Sequence, residues 1–217
     1  MPREWQPVVD GMSNVMKMVH LAVRNDTFDI EGVRVELLRL RRAAYEDELT
    51  KQAALVGCPG RRGTLTNGAI LSQLNDMCQQ DAQSIANTYN YDTAAAIVSI
   101  RSNVPTANRH VYAFRLRKWN TKRAQWKAPQ IEQFTDSSAR ALAQQHFYAY
   151  NDIQGVAILQ PRSAVCPVCM GWVARGEVPL PVAMANPGNW HPNCPHKWQT
   201  FPNRVAKLEC PNLWMGG

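Results

Sequence analysis

Residues 29–56 read DIEGVRVELLRLRRAAYEDELTKQAALV, and this stretch decides the class of fold. Apolar side chains recur in it at three- and four-residue steps and charged side chains fill the other faces, which is the pattern of an amphipathic helix. The apolar positions include Val33, Leu37, Leu40, Ala44 and Leu49. The glycines and the proline that follow, in Gly57-Cys58-Pro59-Gly60, cannot continue a helix. We therefore predict one long helix from about Asp29 to Val56.

Further helices are predicted on both sides of this stretch. Similar apolar spacing predicts an earlier helix over residues 8–23 and a second long helix over residues 70–100. A basic, aromatic helix is expected over residues 106–127, then a break at Lys127-Ala128-Pro129-Gln130, then another helix that ends near Tyr150. Helices of this length joined by short turns are expected to pack antiparallel.

The character of the chain changes after Asn151. Gly155-Val156-Ala157-Ile158-Leu159-Gln160 is typical of a short strand, and beyond it prolines and glycines are frequent and helical periodicity is absent. We therefore expect a mainly α protein with two domains. The first is a long-helix body over residues 1–130, and the second is a small α+β module over residues 131–217.

The positive charge of the chain is concentrated in one segment. The sequence has 24 Lys and Arg against 17 Asp and Glu, a formal net charge of +7. No acidic residue occurs from Thr93 to Ile131, whereas eight basic residues do, so the rest of the chain carries a net charge of −1. A local excess of this kind favours an anionic partner for the segment over a general effect on solubility.

Hydropathy argues against two classes of protein. Residues 1–7 lack the apolar run of a secretory signal, and no stretch of about 18 apolar residues is present to span a bilayer. We therefore expect a soluble, unexported protein with no membrane partner and no small-molecule substrate. In such a protein the six cysteines favour a metal site over disulfides, and Cys58 is expected to be an exposed thiol without a catalytic role.

The strongest chemical signal is a cluster of cysteines and histidines near the C-terminus. Cys166-Pro167-Val168-Cys169 is followed, after residues 170–190, by His191-Pro192-Asn193-Cys194-Pro195-His196. Two cysteines separated by two residues can place both thiolates on one ion, and a second pair completes a tetrahedron. Thiolate and imidazole donors favour zinc over magnesium or calcium. The predicted ligands are Cys166, Cys169, His191 and Cys194, with His196 as an alternative and Cys210 as a remote reserve.

A closed site of four protein ligands is structural, because it leaves no open position for a reacting water. Its binding energy would fold a segment that has few large aliphatic side chains. We therefore expect a structural Zn²⁺ and no catalytic residue in this module. The other interpretation is that these are ordinary buried cysteines beside a His-Pro turn.

The C-terminal part of the chain resembles the phage Mu F-like minor head proteins, also called phage head morphogenesis proteins. It has a helix ending near Tyr150, a strand, a C-x-x-C pair and a proline-rich stretch before Trp190-His191-Pro192-Asn193-Cys194. The family element typically reads C-x-x-C, a variable loop with glycine, then H-P-x-C-x-C. The four predicted zinc ligands match it position by position, and His196 stands where the family usually has its last cysteine.

The resemblance implies a virion component and not an enzyme. Proteins of this family are minor structural components of the phage head, made in the cytoplasm of the bacterial host. The resemblance implies the portal or the major capsid protein as partner, and contact with packaged double-stranded DNA.

Basic and aromatic side chains alternate in the segment that precedes this module. On a helix, Arg115, Lys118 and Lys122 share one face. The candidate contacts to DNA or to a protein partner are Arg109, Arg115, Lys118, Lys122, Arg123 and Lys127. Three interpretations remain open: the face neutralises DNA phosphates, it docks onto an acidic protein surface, or it is a solvated face whose tryptophans belong to the core.

The alternative function is a zinc-containing nuclease of the HNH or His-Cys type. Such an enzyme needs a histidine base and a second site for a hard cation. The region after Gln160 offers His196 and Asn203 but no Asp-His pair, and Glu177 and Glu209 are its only acidic residues. A zinc-finger-like DNA-binding protein is disfavoured because no recognition helix follows the cysteine pair.

Overall fold

The computed structural model describes residues 28–106, 108–160, 167–186, 198–203 and 210–217. Helices contain 73% of these residues, which confirms the predicted mainly helical class, and a small three-stranded sheet completes the fold. The elements in chain order are α1 (Ile30–Leu55), α2 (Gly68–Asn103), α3 (Arg109–Tyr150), β1 (Gly155–Leu159), α4 (Pro167–Arg175), β2 (Glu177–Pro179), α5 (Leu180–Met184) and β3 (Trp198–Pro202), followed by a single 3-10 turn at Cys210–Asn212. The helix predicted over residues 8–23 lies outside the described residues.

The three long helices begin at side-chain caps that satisfy their first backbone N–H groups. Asp29 caps α1 by accepting a 2.8 Å hydrogen bond. Asn67 and Asn108 cap α2 and α3 with bonds of 3.1–3.2 Å. After α1 the chain turns at Gly57, which has a φ of 94° that glycine adopts without strain. The predicted helices over 29–56 and 70–100 are thus confirmed, with small differences at their ends. No helix in the described ranges is long and apolar enough to cross a bilayer.

The described chain divides into two compact units, each with its own core. The first contains residues 28–38 and 75–132, and the second contains residues 39–74 and the described residues from 133 onward. Fully or almost fully buried side chains of the first unit include Val33, Leu37, Cys78 and Ala82. Those of the second unit include Tyr45, Leu49, Leu74, Phe147 and Leu159.

In the first unit, α1 and α2 run antiparallel, as expected for successive helices. The Phe28 ring, just before α1, lies 5.6 Å from the ring of Tyr89. Further along α1, Arg34 donates a hydrogen bond to Asn75. Later residues of α1 thus contact earlier residues of α2, so the two helices run in opposite directions.

In the second unit, α1 and α3 run parallel and share a partly buried polar network. Arg140 pairs with Asp47 at 2.5 Å, and further along both helices the Tyr148 hydroxyl donates a hydrogen bond to Gln52. Glu48 is only 6% exposed and accepts a 2.6 Å hydrogen bond from Gln52. Buried polar groups are tolerated when they are hydrogen-bonded in this way, so the network sets which faces of α1 and α3 meet.

The sheet has the strand order β2-β1-β3, and both pairs are antiparallel. Val156 on the central strand faces Pro179 on one side and Phe201 on the other. At the start of β1 a Cβ on Gly155 would lie 2.4 Å from the Phe201 carbonyl oxygen, so the close approach of β3 requires glycine. The strand predicted from Gly155 is confirmed.

Pro129 does not break the helix in which it lies, so the predicted interruption is wrong. α3 continues through it from Arg109 to Tyr150. Pro129 itself is exposed, whereas Ala128 just before it is buried in the first unit and Thr135 further along is buried in the second. The hydrogen bond that proline removes costs less than this packing on either side of it contributes.

Beyond Gln160, where the sequence shows no helical periodicity, the structure has two short helices, α4 and α5. Both carry proline in the first turn, where a missing N–H costs nothing. They are too short for their apolar spacing to show a period.

A disulfide joins Cys58 to Cys210, across a sequence separation of 152. The two Cα atoms are 5.5 Å apart, within the ordinary range for a disulfide. Cys58 is 2% exposed, so the expected exposed thiol is wrong, and Cys210 is not a reserve metal ligand. Cysteine spacing alone does not reveal this pair, because only the fold brings the turn after α1 to the C-terminal segment.

Candidate functional site

Arg115, Lys118 and Lys122 form one exposed face of α3 in the first unit, which we call the cationic face. Residues three and four positions apart lie side by side on a helix, so the three charges form a continuous row. The opposite side of this helix is buried at Asn120, which is 3% exposed. Arg109, the fourth predicted contact, is exposed in the first turn of α3.

Acidic groups of the described residues do not pair with the cationic face. Among the described residues, none of Arg109, Arg115, Lys118 and Lys122 forms an ion pair. These cations are exposed and repel one another, so a polyanion that replaces their counterions is favoured.

Arg123 has a structural role in the first unit. Its guanidinium pairs with Asp92 and donates a 3.3 Å hydrogen bond to the Thr88 carbonyl on α2. It also lies 5.8 Å from the ring centroid of Tyr89 and 5.4 Å from that of Trp119. Its side chain is 14% exposed, and we therefore leave it out of the cationic face. Sequence reasoning missed this arrangement, although Asp92 is the last acidic residue before the acid-free run.

The aromatic residues of this segment divide into two sets. Trp119 is half-buried beneath Arg123, as the core interpretation expects. Phe114 and Trp126 are 63% and 61% exposed. The Nζ of Lys127, the last predicted contact, lies 4.6 Å from the centroid of the Trp126 ring.

Of the predicted zinc ligands, only Cys169 lies among the described residues. Its side chain is fully buried on α4. Cys166, His191, Cys194 and His196 fall outside the described residues. Within the part that is described, no group of three or more His, Cys, Asp or Glu is arranged to hold a metal.

Asn186 and Trp198, which flank the stretch that carries His191, Cys194 and His196, contact each other beside α4. Residues 187–197 connect Asn186 to Trp198, and the Trp198 indole donates a 2.6 Å hydrogen bond to the Asn186 carbonyl. The Trp198 ring packs edge-on against Trp172 of α4, with centroids 5.7 Å apart. Trp172 and Cys169 are three residues apart on α4 and share a face.

His146 on α3 is a packing residue of the second unit. Its Nδ1 lies 2.7 Å from the hydroxyl of the fully buried Tyr45. Burial lowers the pKa of His146 and raises that of Tyr45, so both side chains are neutral near pH 7. The Tyr45 hydroxyl then donates to the imidazole nitrogen.

Comparison with protein-family models, curated proteins and solved structures gives no match. The cationic face and the cysteine and histidine motif are therefore the features of this chain that bear on its function.

Proposed function

We propose that this chain is a non-enzymatic minor component of a tailed-phage head, located at the portal or inner capsid. In this role the cationic face contacts the phosphates of packaged double-stranded DNA, and a structural zinc stabilises the C-terminal module. The observation that carries the proposal is the exposed, acid-free row of Arg115, Lys118 and Lys122 on α3. The motif that resembles the head morphogenesis proteins supports the location.

Contact with duplex DNA is expected to depend on charge and not on base sequence. A helix face that presents only cations neutralises phosphates, and it has no side chains arranged to read base edges. An acidic protein surface would also complement the charge. Duplex DNA is favoured because three cations in a row match a regular line of phosphates.

The first test replaces Arg115, Lys118 and Lys122 together by glutamine. Titrating a fluorescent 20-bp duplex at several salt concentrations should show weaker binding and a flatter plot of log K against log salt. Each phosphate contact contributes about −0.9 to that slope, so three lost contacts change it by about 2.7. The melting temperature should stay within a degree or two, because the three side chains are exposed.

A variant with the same change in net charge provides the control. Lys51, Arg62 and Arg175 are exposed and lie in the second unit. Their replacement by glutamine should leave the salt slope nearly unchanged. Equal losses of duplex affinity in both triple variants would show that only the net charge of the chain matters. A native chain that does not bind the duplex would contradict the proposed contact with DNA.

The zinc part of the proposal is tested by metal content. The purified chain should hold one zinc, and Cys166→Ser should lose it and unfold the C-terminal module. Cys78→Ser removes a thiol of the first unit and should retain the metal. Full zinc occupancy in Cys166→Ser would contradict the predicted ligand set.

Location is tested separately, in phage particles. The chain should be present in purified virions, and its deletion should impair head assembly or DNA delivery. Particles that lack it, or a deletion that leaves both processes unchanged, would contradict the structural role even if the isolated chain binds DNA.

A further inference from the structure

A regular row of two aromatic and two basic side chains runs along α3. Phe114, Lys118, Lys122 and Trp126 follow one another at four-residue steps, and all four are exposed. Four-residue steps keep side chains adjacent along a helix, so the row is continuous from one ring to the other over ~18 Å. We call this row the α3 stripe.

Packing within the described part of the first unit does not account for the rings of the α3 stripe. Phe114 is 63% exposed and Trp126 is 61% exposed, although rings of this size normally contribute much to a core. Trp119 and Tyr89 show the contrast, because Arg123 lies over both of them and they belong to the packed side. A large aromatic surface left open beside cations is typical of a binding surface.

The charges of the α3 stripe select the kind of partner. Lys118 and Lys122 lie between the rings, Arg115 is next to Phe114, and Lys127 lies against Trp126. The acid-free run from Thr93 to Ile131 contains the whole stripe. An apolar protein groove would match the rings but would leave the cations unpaired, whereas a nucleic acid matches both.

A duplex cannot use the rings, because its bases are already stacked on each other. An unpaired strand exposes the flat faces of its bases, and aromatic side chains bind these faces without regard to base identity. Such a strand carries phosphates between its bases, and the stripe carries two lysines between its two rings.

We propose that the α3 stripe binds single-stranded DNA, with Phe114 and Trp126 stacking on bases and Lys118 and Lys122 pairing with the phosphates between them. This inference rests on the proposed contact between the cationic face and nucleic acid, and it adds a preference for unpaired strands. The site is sequence-tolerant and includes no residue of the zinc motif.

The test uses the full-length chain and two fluorescent probes, a 12-nucleotide oligo-dT strand and a 12-bp duplex. Replacing Phe114 and Trp126 together by leucine should weaken binding to the single strand at least ~10-fold and leave duplex binding unchanged. Trp126→Phe, which keeps a flat ring, should retain most of the affinity. Lys118→Gln with Lys122→Gln should weaken binding to both probes.

Phe201→Leu is the matched control, since Phe201 is 43% exposed and lies on β3 in the second unit. It should leave both affinities unchanged. Circular dichroism should show that the leucine variants keep their helix content, because neither ring is buried.

Two results would overturn the inference. In the first, the native chain binds both probes and the double leucine variant binds them equally well. That result would rule out base stacking by the rings but would remain consistent with the proposed phosphate contact. The second is a dimer in sedimentation that the double leucine variant dissociates without loss of single-strand binding, since the stripe would then join two copies of the chain. Binding to neither probe would instead contradict the proposed function itself.

Discussion

The Tyr45 and His146 pair shows how one hydrogen bond links folding to pH. Tyr45 is fully buried on α1, and its hydroxyl lies 2.7 Å from His146 Nδ1 on α3. A protonated imidazole could not accept this bond and would be charged in a partly buried position. Burial therefore lowers the pKa of His146 below its ordinary value of 6.5.

The pair predicts a loss of stability on mild acidification. The unfolded histidine binds a proton near pH 6.5, whereas the folded one binds it only at lower pH. The stabilisation is therefore complete above about pH 6.5 and falls as pH drops toward the lowered folded pKa. His146→Phe should flatten the dependence of melting temperature on pH between 5 and 7. Parallel curves for the two proteins would contradict the assignment.

At the scale of one element, Pro129 is an unfavourable residue within a continuous helix. It occupies the interior of α3, where it removes a backbone hydrogen bond, yet the helix is continuous. The backbone at position 129 is therefore already helical, so a residue with a backbone N–H can donate the missing helical hydrogen bond there.

Pro129→Ala should therefore raise the free energy of unfolding by about 1–2 kcal/mol. The expected gain is the helical penalty of proline, about 3 kcal/mol, less about 1 kcal/mol for the greater freedom of the unfolded chain. Urea denaturation provides the measurement. Pro105 lies in the turn between α2 and α3, so Pro105→Ala should change stability in the opposite direction. A loss of stability in Pro129→Ala would show that α3 needs a distortion there.

The elements also show how far the sequence alone can predict this fold. The apolar spacing of α1 and α2 is long and regular, so both helices were predictable. Pro129 misled the prediction, because the packing on either side of it is not visible in a local pattern. The exposure of Lys118 follows from helical spacing, but the burial of Arg123 does not, because its partner Asp92 lies on another helix.

At the scale of the whole molecule, the Cys58–Cys210 bond closes a loop that contains most of the chain. A crosslink between distant residues restricts the unfolded chain strongly, because few of its conformations bring the two ends together. The bond also holds the C-terminal segment at the turn after α1, where Thr66 N–H bonds to the Gly216 carbonyl at 2.8 Å.

Breaking this bond should lower the free energy of unfolding by about 2–5 kcal/mol. Urea denaturation of the native chain and of Cys210→Ser under non-reducing conditions should show that difference. In the presence of a reductant the two proteins should become nearly equal. A native chain that the reductant leaves more stable than Cys210→Ser would show that the serine itself, and not the missing bond, causes the loss.

The parallel pairing of α1 with α3 has a consequence for the chain as it emerges from the ribosome. Glu48 receives a contact from Arg140, which is 92 residues later in the sequence. Synthesis at ~5–20 residues per second takes ~5–20 s to reach Arg140 after Glu48 has been added. Until then the carboxylates of α1 stay in water and its apolar face is open to chaperones. The second unit therefore pairs α1 with α3 only after the chain has been synthesised past Arg140.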